Sequence, residues 1–168
     1  MKKILLVSVI FFLVSAGWVF AHEDIEKHAA CHLCGMDAAK FANSRILIEY
    51  DDGTITETCS IHCAAIELAV NIDKTPKAIK VGDYVTKDLI NADMALWVIG
   101  GSKPGVMTTR AKWAFGKKDD AERFIKENGG SLVTFDEIMK AAYEDMYANT
   151  KMIRDKRKMI KMKMSGGK

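Results

Sequence analysis

Every cysteine and every histidine of the chain lies between residues 22 and 63: His22, His28, Cys31, His32, Cys34, Cys59, His62 and Cys63. Whatever fold the sequence adopts must accommodate that crowding, because thiols and imidazoles held together bind a metal, exchange oxidation states or cross-link. The spacing narrows the choice. Cys31 and Cys34 form a C-x-x-C pair able to place two thiolates on one ion, and Cys59, His62 and Cys63 share one face if their segment is helical. Covalent haem attachment is excluded, since it needs a histidine directly after the second cysteine and Gly35 stands there. A thioredoxin-like pair is expected to follow a strand and open a helix, and no strand pattern precedes Cys31. Structural disulfides stay open: the four cysteines allow three connectivities that spacing does not separate.

Met36 bears on which metal the cluster would take. A structural zinc site built from Cys31, Cys34, Cys59 and Cys63 is a tetrahedron of thiolates and has no use for a thioether. Copper(I) selects soft thiolate and thioether donors together, so Cys34 and Met36, two residues apart in "CGM", suit that ion. Most methionines fill cores. Met107, in the loop "KPGVMTT", lies outside any regular apolar face and joins the candidate ligands, with His32 and His62 available to complete the shell. No nucleophile and base with an orienting third group is evident, so the pattern reads as a binding protein and not an enzyme.

Residues 1–21, "MKKILLVSVIFFLVSAGWVFA", have the form of a secretory signal peptide: two lysines, an apolar run, and Val19 and Ala21 in the small-residue cleavage positions. The expected organisation is a signal segment over 1–21, a metal-binding domain over 22–148 and a basic tail over 149–168, with the mature protein in the periplasm. Charge separates the last two parts. Residues 22–150 carry a net −6 and residues 151–168 a net +7. The tail, "NTKMIRDKRKMIKMKMSGGK", places Met152, Ile153, Met159 and Ile160 on one side of a helix, a pattern suited to weak contact with an anionic membrane surface or to a solvated helix end. Nothing in the pattern points to nucleic acid.

Along the domain, "SRILIEY", the turn "DDGT" and residues 55–58 read as a β-hairpin. "CSIHCAAIELAV" reads as a helix with Ser60 as N-cap and Cys63, Ile66 and Val70 on its apolar face. "KAIKVGDYV" and "MALWVIGG" predict strands, "SKPGVMTTRAKWAFG" a loop, residues 118–128 a helix stopped by Gly129 and Gly130, and "SLVTF" a last strand. One long helix is expected from Asp136 onward. This order implies an α+β fold, a single compact domain of two small β-hairpin/helix halves with a long C-terminal helix.

The segments "CHLCGMDAAKF", "DDGT", "TCSIH", "DYVTKDLINADMALWVIGGSKPGVMT" and "AFGKKDDAERFIKENGGSLVTFDEI" resemble, in order, the nitrous oxide reductase accessory proteins of the NosL type, over about residues 28–140. The resemblance implies an exported copper(I) chaperone that serves assembly of a copper enzyme, nitrous oxide reductase or a related client, through copper-cluster assembly partners. It also implies small α/β halves like those in part of organomercurial lyase. Cys34 and Met36 match that family's Cys-x-Met copper ligands, and Met107 matches its loop methionine. The chain departs from the pattern in lacking a lipid-attachment cysteine after the signal, in carrying the extra pair Cys59 and Cys63, and in its basic tail. The alternative is a periplasmic thiol-disulfide protein that uses the C-x-x-C and C-x-x-x-C cysteines.

Overall fold

The computed structural model describes residues 29–165. The signal segment, His22 and His28 lie outside the described residues. The hairpin forms as its alternation requires: β1 (Ile46–Tyr50) and β2 (Ile55–Thr58) pair antiparallel, with Ile46 opposite Thr58 and Glu49 opposite Ile55. Next come helix α1 (Ile61–Val70), β3 (Pro76–Gly82) and β4 (Leu89–Asn91), which complete an antiparallel sheet in the order β2-β1-β3-β4. The second half holds β5 (Leu96–Ile99), β6 (Lys112–Phe115), helix α2 (Lys118–Asn128) and β7 (Ser131–Val133), with sheet order β6-β5-β7. Helices α3 (Phe135–Glu144) and α4 (Met146–Ser165) close the chain. The two small sheets with their helices are the expected α+β architecture.

The expected strand through Val85 stops at Gly82 because Asp83 caps its own backbone. Its carboxylate accepts the N–H groups of Val85 at 2.8 Å and Thr86 at 2.7 Å, and that of Gly116 at 2.6 Å. Such side-chain bonds compete with the ladder and turn the chain. The loop expected over 102–116 ends in a strand, β6. Its four residues are buried on both faces: Ala114 joins the core of Trp97, Ile46 and Ile138, while Trp113 and Phe115 pack with Val98 and Phe124 on the other side. A strand buried on both faces shows no polar alternation, so the period-2 signal is absent. Short β4 likewise gives no periodic signal.

Helix α1 also departs from expectation. Ser60 has the extended N-cap backbone, yet its side chain makes no capping bond, and Val70 is 66% exposed. The core face is instead Ile61, Ala64, Ala65 and Leu68, which leaves Cys63 on the opposite side. The single C-terminal helix is in fact two. Thr134 and Glu137 form a reciprocal capping box that starts α3, and the helix is interrupted at Asp145. There the carboxylate is held by Arg110 Nε and Nη2, both at 2.9 Å, and by the Nζ of buried Lys112 at 2.7 Å. That three-way pairing ties the junction to β6 and fixes where α4 departs.

Candidate metal centre

The turn that carries the first cysteine pair closes on itself. The Cys31 N–H donates to Met36 O at 2.8 Å, Gly35 N–H to Cys31 O at 2.7 Å, and Ala30 bridges to Asp37. Gly35 has a φ of 74°, the left-handed conformation that glycine adopts without steric cost. Cys31 thereby points into the protein and Cys34 sits at its edge, half-buried. Cys59 arrives from the end of β2 and Cys63 from the first turn of α1, both buried.

All four sulfurs meet. They lie within 4.8 Å of one another. Cys34 Sγ approaches Cys59 Sγ to 3.4 Å across the two motifs, and Cys59 lies 3.7 Å from Cys63. Bonded sulfurs stand about 2.05 Å apart, so all four are free thiols. Sulfurs around one ion with metal–sulfur bonds of about 2.3 Å sit about 3.8 Å apart at tetrahedral angles, near the 3.4 Å and 3.7 Å separations found here.

Electrostatics in the cluster favour one thiolate over several. Thiol donors from Cys59 and then Cys63 hold the Cys31 thiol far below its usual range. The bond to Cys31 and burial push Cys59 up, and the bonds to Cys31 and Cys59 together with burial push Cys63 up. A second anion beside the first would be repelled in a dry site, so the sulfurs titrate as a set. The cluster also stands at the N-terminus of α1, where the helix dipole favours negative charge. Phe41 and Val106 wall it on the protein side.

The other expected ligands divide. Met36 and Met107 pack against the cysteines. A cleft of ≈ 170 Å³ opens onto Cys34, Cys63, His62 and Met107. His62 is 3% exposed, and its Nδ1 makes no hydrogen bond among the described residues. Burial, and then the charge of Lys112, lower the His62 pKa, so the ring is neutral and able to offer a lone pair. His32 faces elsewhere. Its Nε2 meets Glu67 Oε2 at 2.8 Å and its Nδ1 faces Glu57 O at 3.3 Å, so neither nitrogen points to the sulfurs. It fastens the cysteine turn to α1 instead.

Helix α4 brings residues that the sequence pattern did not assign to the site. Thr150, Ile153, Arg154 and Arg157 line the same cleft. Asn149, 1% exposed, clamps the Met107 loop by accepting from Thr109 N–H and donating to Thr108 Oγ1, both at 3.1 Å. The boundary expected at 149 therefore falls inside a docked helix. Glu67 was also missed, although a lone carboxylate in the apolar run "CAAIELAV" is a readable signal.

The sequence model of the NosL family matches residues 22–143. The chain belongs to the NosL family. Among solved structures it is similar to the crystal structure of the copper chaperone NosL from Shewanella denitrificans, at 29% identity and a TM-score of 0.53, covering 67% of this chain and 90% of that one. A search of curated proteins finds no match. The family match stops before α4, so the helix over the cleft lies outside the matched region.

Proposed function

We propose that this NosL-family protein carries Cu(I) outside the cytoplasm and hands it to a copper enzyme during assembly, nitrous oxide reductase or a related client. The observation that supports this best is the set of four free thiols within 4.8 Å of one another, with Cys34 at the mouth of an open cleft. Thiolates hold Cu(I) tightly, and an open side lets a receiving protein replace them one at a time. Each exchange breaks one copper–sulfur bond as one bond to the client's thiolate or imidazole forms, and no electron moves. Cys34, Cys63, His62 and Met107 border the approach, while buried Cys31 and Cys59 hold the inner side.

Two other readings have a specific observation behind them. Four thiols within 4.8 Å of one another also suit Zn(II). The contact of Cys34 with Cys59 at 3.4 Å is short enough for oxidation to close a disulfide with little movement, as the thiol-disulfide reading requires. Native mass spectrometry of the mature protein, purified under reducing conditions and exposed to Cu(I) or Zn(II), separates all three by metal identity, metal count and disulfide count. Retention of copper against a Cu(I) chelator supports the carrier. Zinc retained in place of copper, or recovery only as a disulfide, overturns it.

Export and membrane contact belong to the same proposal. Residues 1–21 would direct the chain to the periplasm, which fractionation of cells expressing the full chain checks. The outer end of α4 exposes Met159, Ile160, Met162 and Met164 among Lys158, Lys161 and Lys163, suited to weak contact with anionic lipid. Loss of sedimentation with anionic vesicles on removal of residues 158–168 is the expected result.

A further inference from the structure

Beyond the cleft, α4 carries a row of cations on one face. Arg154, Arg157, Lys158 and Lys161 follow one another at helical spacing, which aligns them along the helix. With Met162 and Ser165 they line an open groove of ≈ 560 Å³. Arg154 and Arg157 also border the cleft that opens onto Cys34 and Cys63, so the groove runs into the mouth of the metal site. We infer that this row is a docking surface for an acidic segment of the protein that receives the metal, and that it leads that segment to Cys34. The inference rests on the carrier reading above and names the chemistry by which the recipient is met.

Charge complementarity selects that occupant. Residues 22–150 carry a net −6 and residues 151–168 a net +7, so positive charge is concentrated on α4. An acidic partner is repelled by the body and attracted at one edge of the cleft, which speeds encounter and fixes its orientation. All four side chains of the row are exposed, and none of them forms an ion pair among the described residues. Asp155 is the one acidic residue of α4. The charge of the row is therefore left to be met by another molecule.

The row is held in a fixed relation to the metal site at its inner end. Asn149 fastens the start of α4 to Thr108 and Thr109, and Arg157 donates to Cys34 O at 3.2 Å. A segment bound along the row thus arrives beside Cys34, the half-buried cysteine of the cluster. A lipid surface matches the row less well. A membrane-surface helix sets apolar residues beside its cations, whereas Met159 and Ile160 fall outside the spacing of this face. A groove also admits a chain segment, and a bilayer presents a plane.

The test uses fluorescent oligo-glutamate, oligo-lysine and Ser/Gly peptides of equal length on the mature protein. On metal-free protein, anisotropy should show oligo-glutamate binding about tenfold more tightly than Ser/Gly at low salt, with the advantage fading as salt rises. Lys158→Glu with Lys161→Glu, both outside the metal cleft, should turn the preference toward oligo-lysine and leave Cu(I) retention against a chelator as in the parent chain. Lys158→Arg with Lys161→Arg should keep the original preference. When each peptide ends in the same pair of cysteines, whose thiolates replace those of the loaded protein, Cu(I) should pass to the acidic one about tenfold faster than to the neutral one. Equal binding or equal transfer of the acidic and neutral peptides, or a preference that survives the double charge reversal, overturns the inference. So does loss of the preference with phosphatidylglycerol vesicles present, which assigns the row to lipid headgroups, or a dimer that the charge reversal dissolves, which assigns it to a second copy. Failure to retain Cu(I) overturns the carrier reading instead, and peptide binding to the metal-free protein is read in either case.

Discussion

Arg157 donates to the backbone carbonyl of Cys34 across 3.2 Å, although 123 positions separate the two residues in the chain. The bond places the basic C-terminal helix at the mouth of the cysteine cluster. A metal held by several thiolates carries net negative charge, and Arg154 and Arg157 line the cleft above it. Arg157→Gln is expected to weaken Cu(I) binding by removing a positive charge beside it, with a larger deficit at low salt. Chelator competition at two ionic strengths measures it; no loss at either would detach the helix from metal binding.

Removing individual sulfurs should rank the ligands. Cys34→Ser is expected to weaken Cu(I) binding far more than Met36→Leu, because a thiolate is an anionic donor and a thioether a neutral one. Circular dichroism before the metal assay separates ligand loss from unfolding. Equal chelator competition by both variants and the parent chain would remove Cys34 from the site.

Asn149 is a stability test of the α4 clamp. Asn149→Ala leaves the Thr109 N–H and the Thr108 hydroxyl short of a partner in a site that is 1% exposed at Asn149. A cost of about 1–3 kcal/mol is expected. Urea melts should show that loss, and hydrogen exchange should quicken along Met146–Ile153 and in the Met107 loop while β1 stays protected. Uniform loss of protection would show that the clamp is not local.

The buried phenol of Tyr50 predicts alkaline lability. Burial, and then the Glu67 carboxylate that accepts its O–H at 3.3 Å, push its pKa from 10.0 up to about 12. Between those values the folded state keeps a proton that the unfolded chain has lost. Its contribution is complete below pH 10 and is lost as pH rises toward 12, by about 2–3 kcal/mol. Tyr50→Phe should flatten stability across that window in denaturant titrations, at a cost of about 1 kcal/mol at neutral pH. An unchanged slope would show that another group titrates there.

Much of the fold was legible where structure is local. The turn "DDGT" and the alternation before it specify the first hairpin, and Gly129 at a φ of 76° ends α2 where a left-handed residue is needed. The strand β6 was not legible, because burial on both faces erases the polar alternation that marks a strand. The break at Asp145 was hidden for a different reason: its partners Arg110 and Lys112 are distant in sequence, and a helix-period pattern continues across it.

For the site, the sequence alone determined the inventory. The crowding of Cys31, Cys34, Cys59 and Cys63, with Met36 beside them, followed from composition and spacing, since soft donors are rare and two short motifs contain them. Only the tertiary structure decided who faces whom. It set Cys34 against Cys59 across the two motifs, turned His32 away to Glu67, and laid Met152 and Arg157, from a tail whose sequence suits a membrane surface or a solvated helix end, against the cleft. Spacing reports which residues share one turn or one helix face. The approach of separate segments depends on how sheets and helices pack, and here Asn149, a single buried side chain that no local pattern marks, fastens α4 to the Met107 loop.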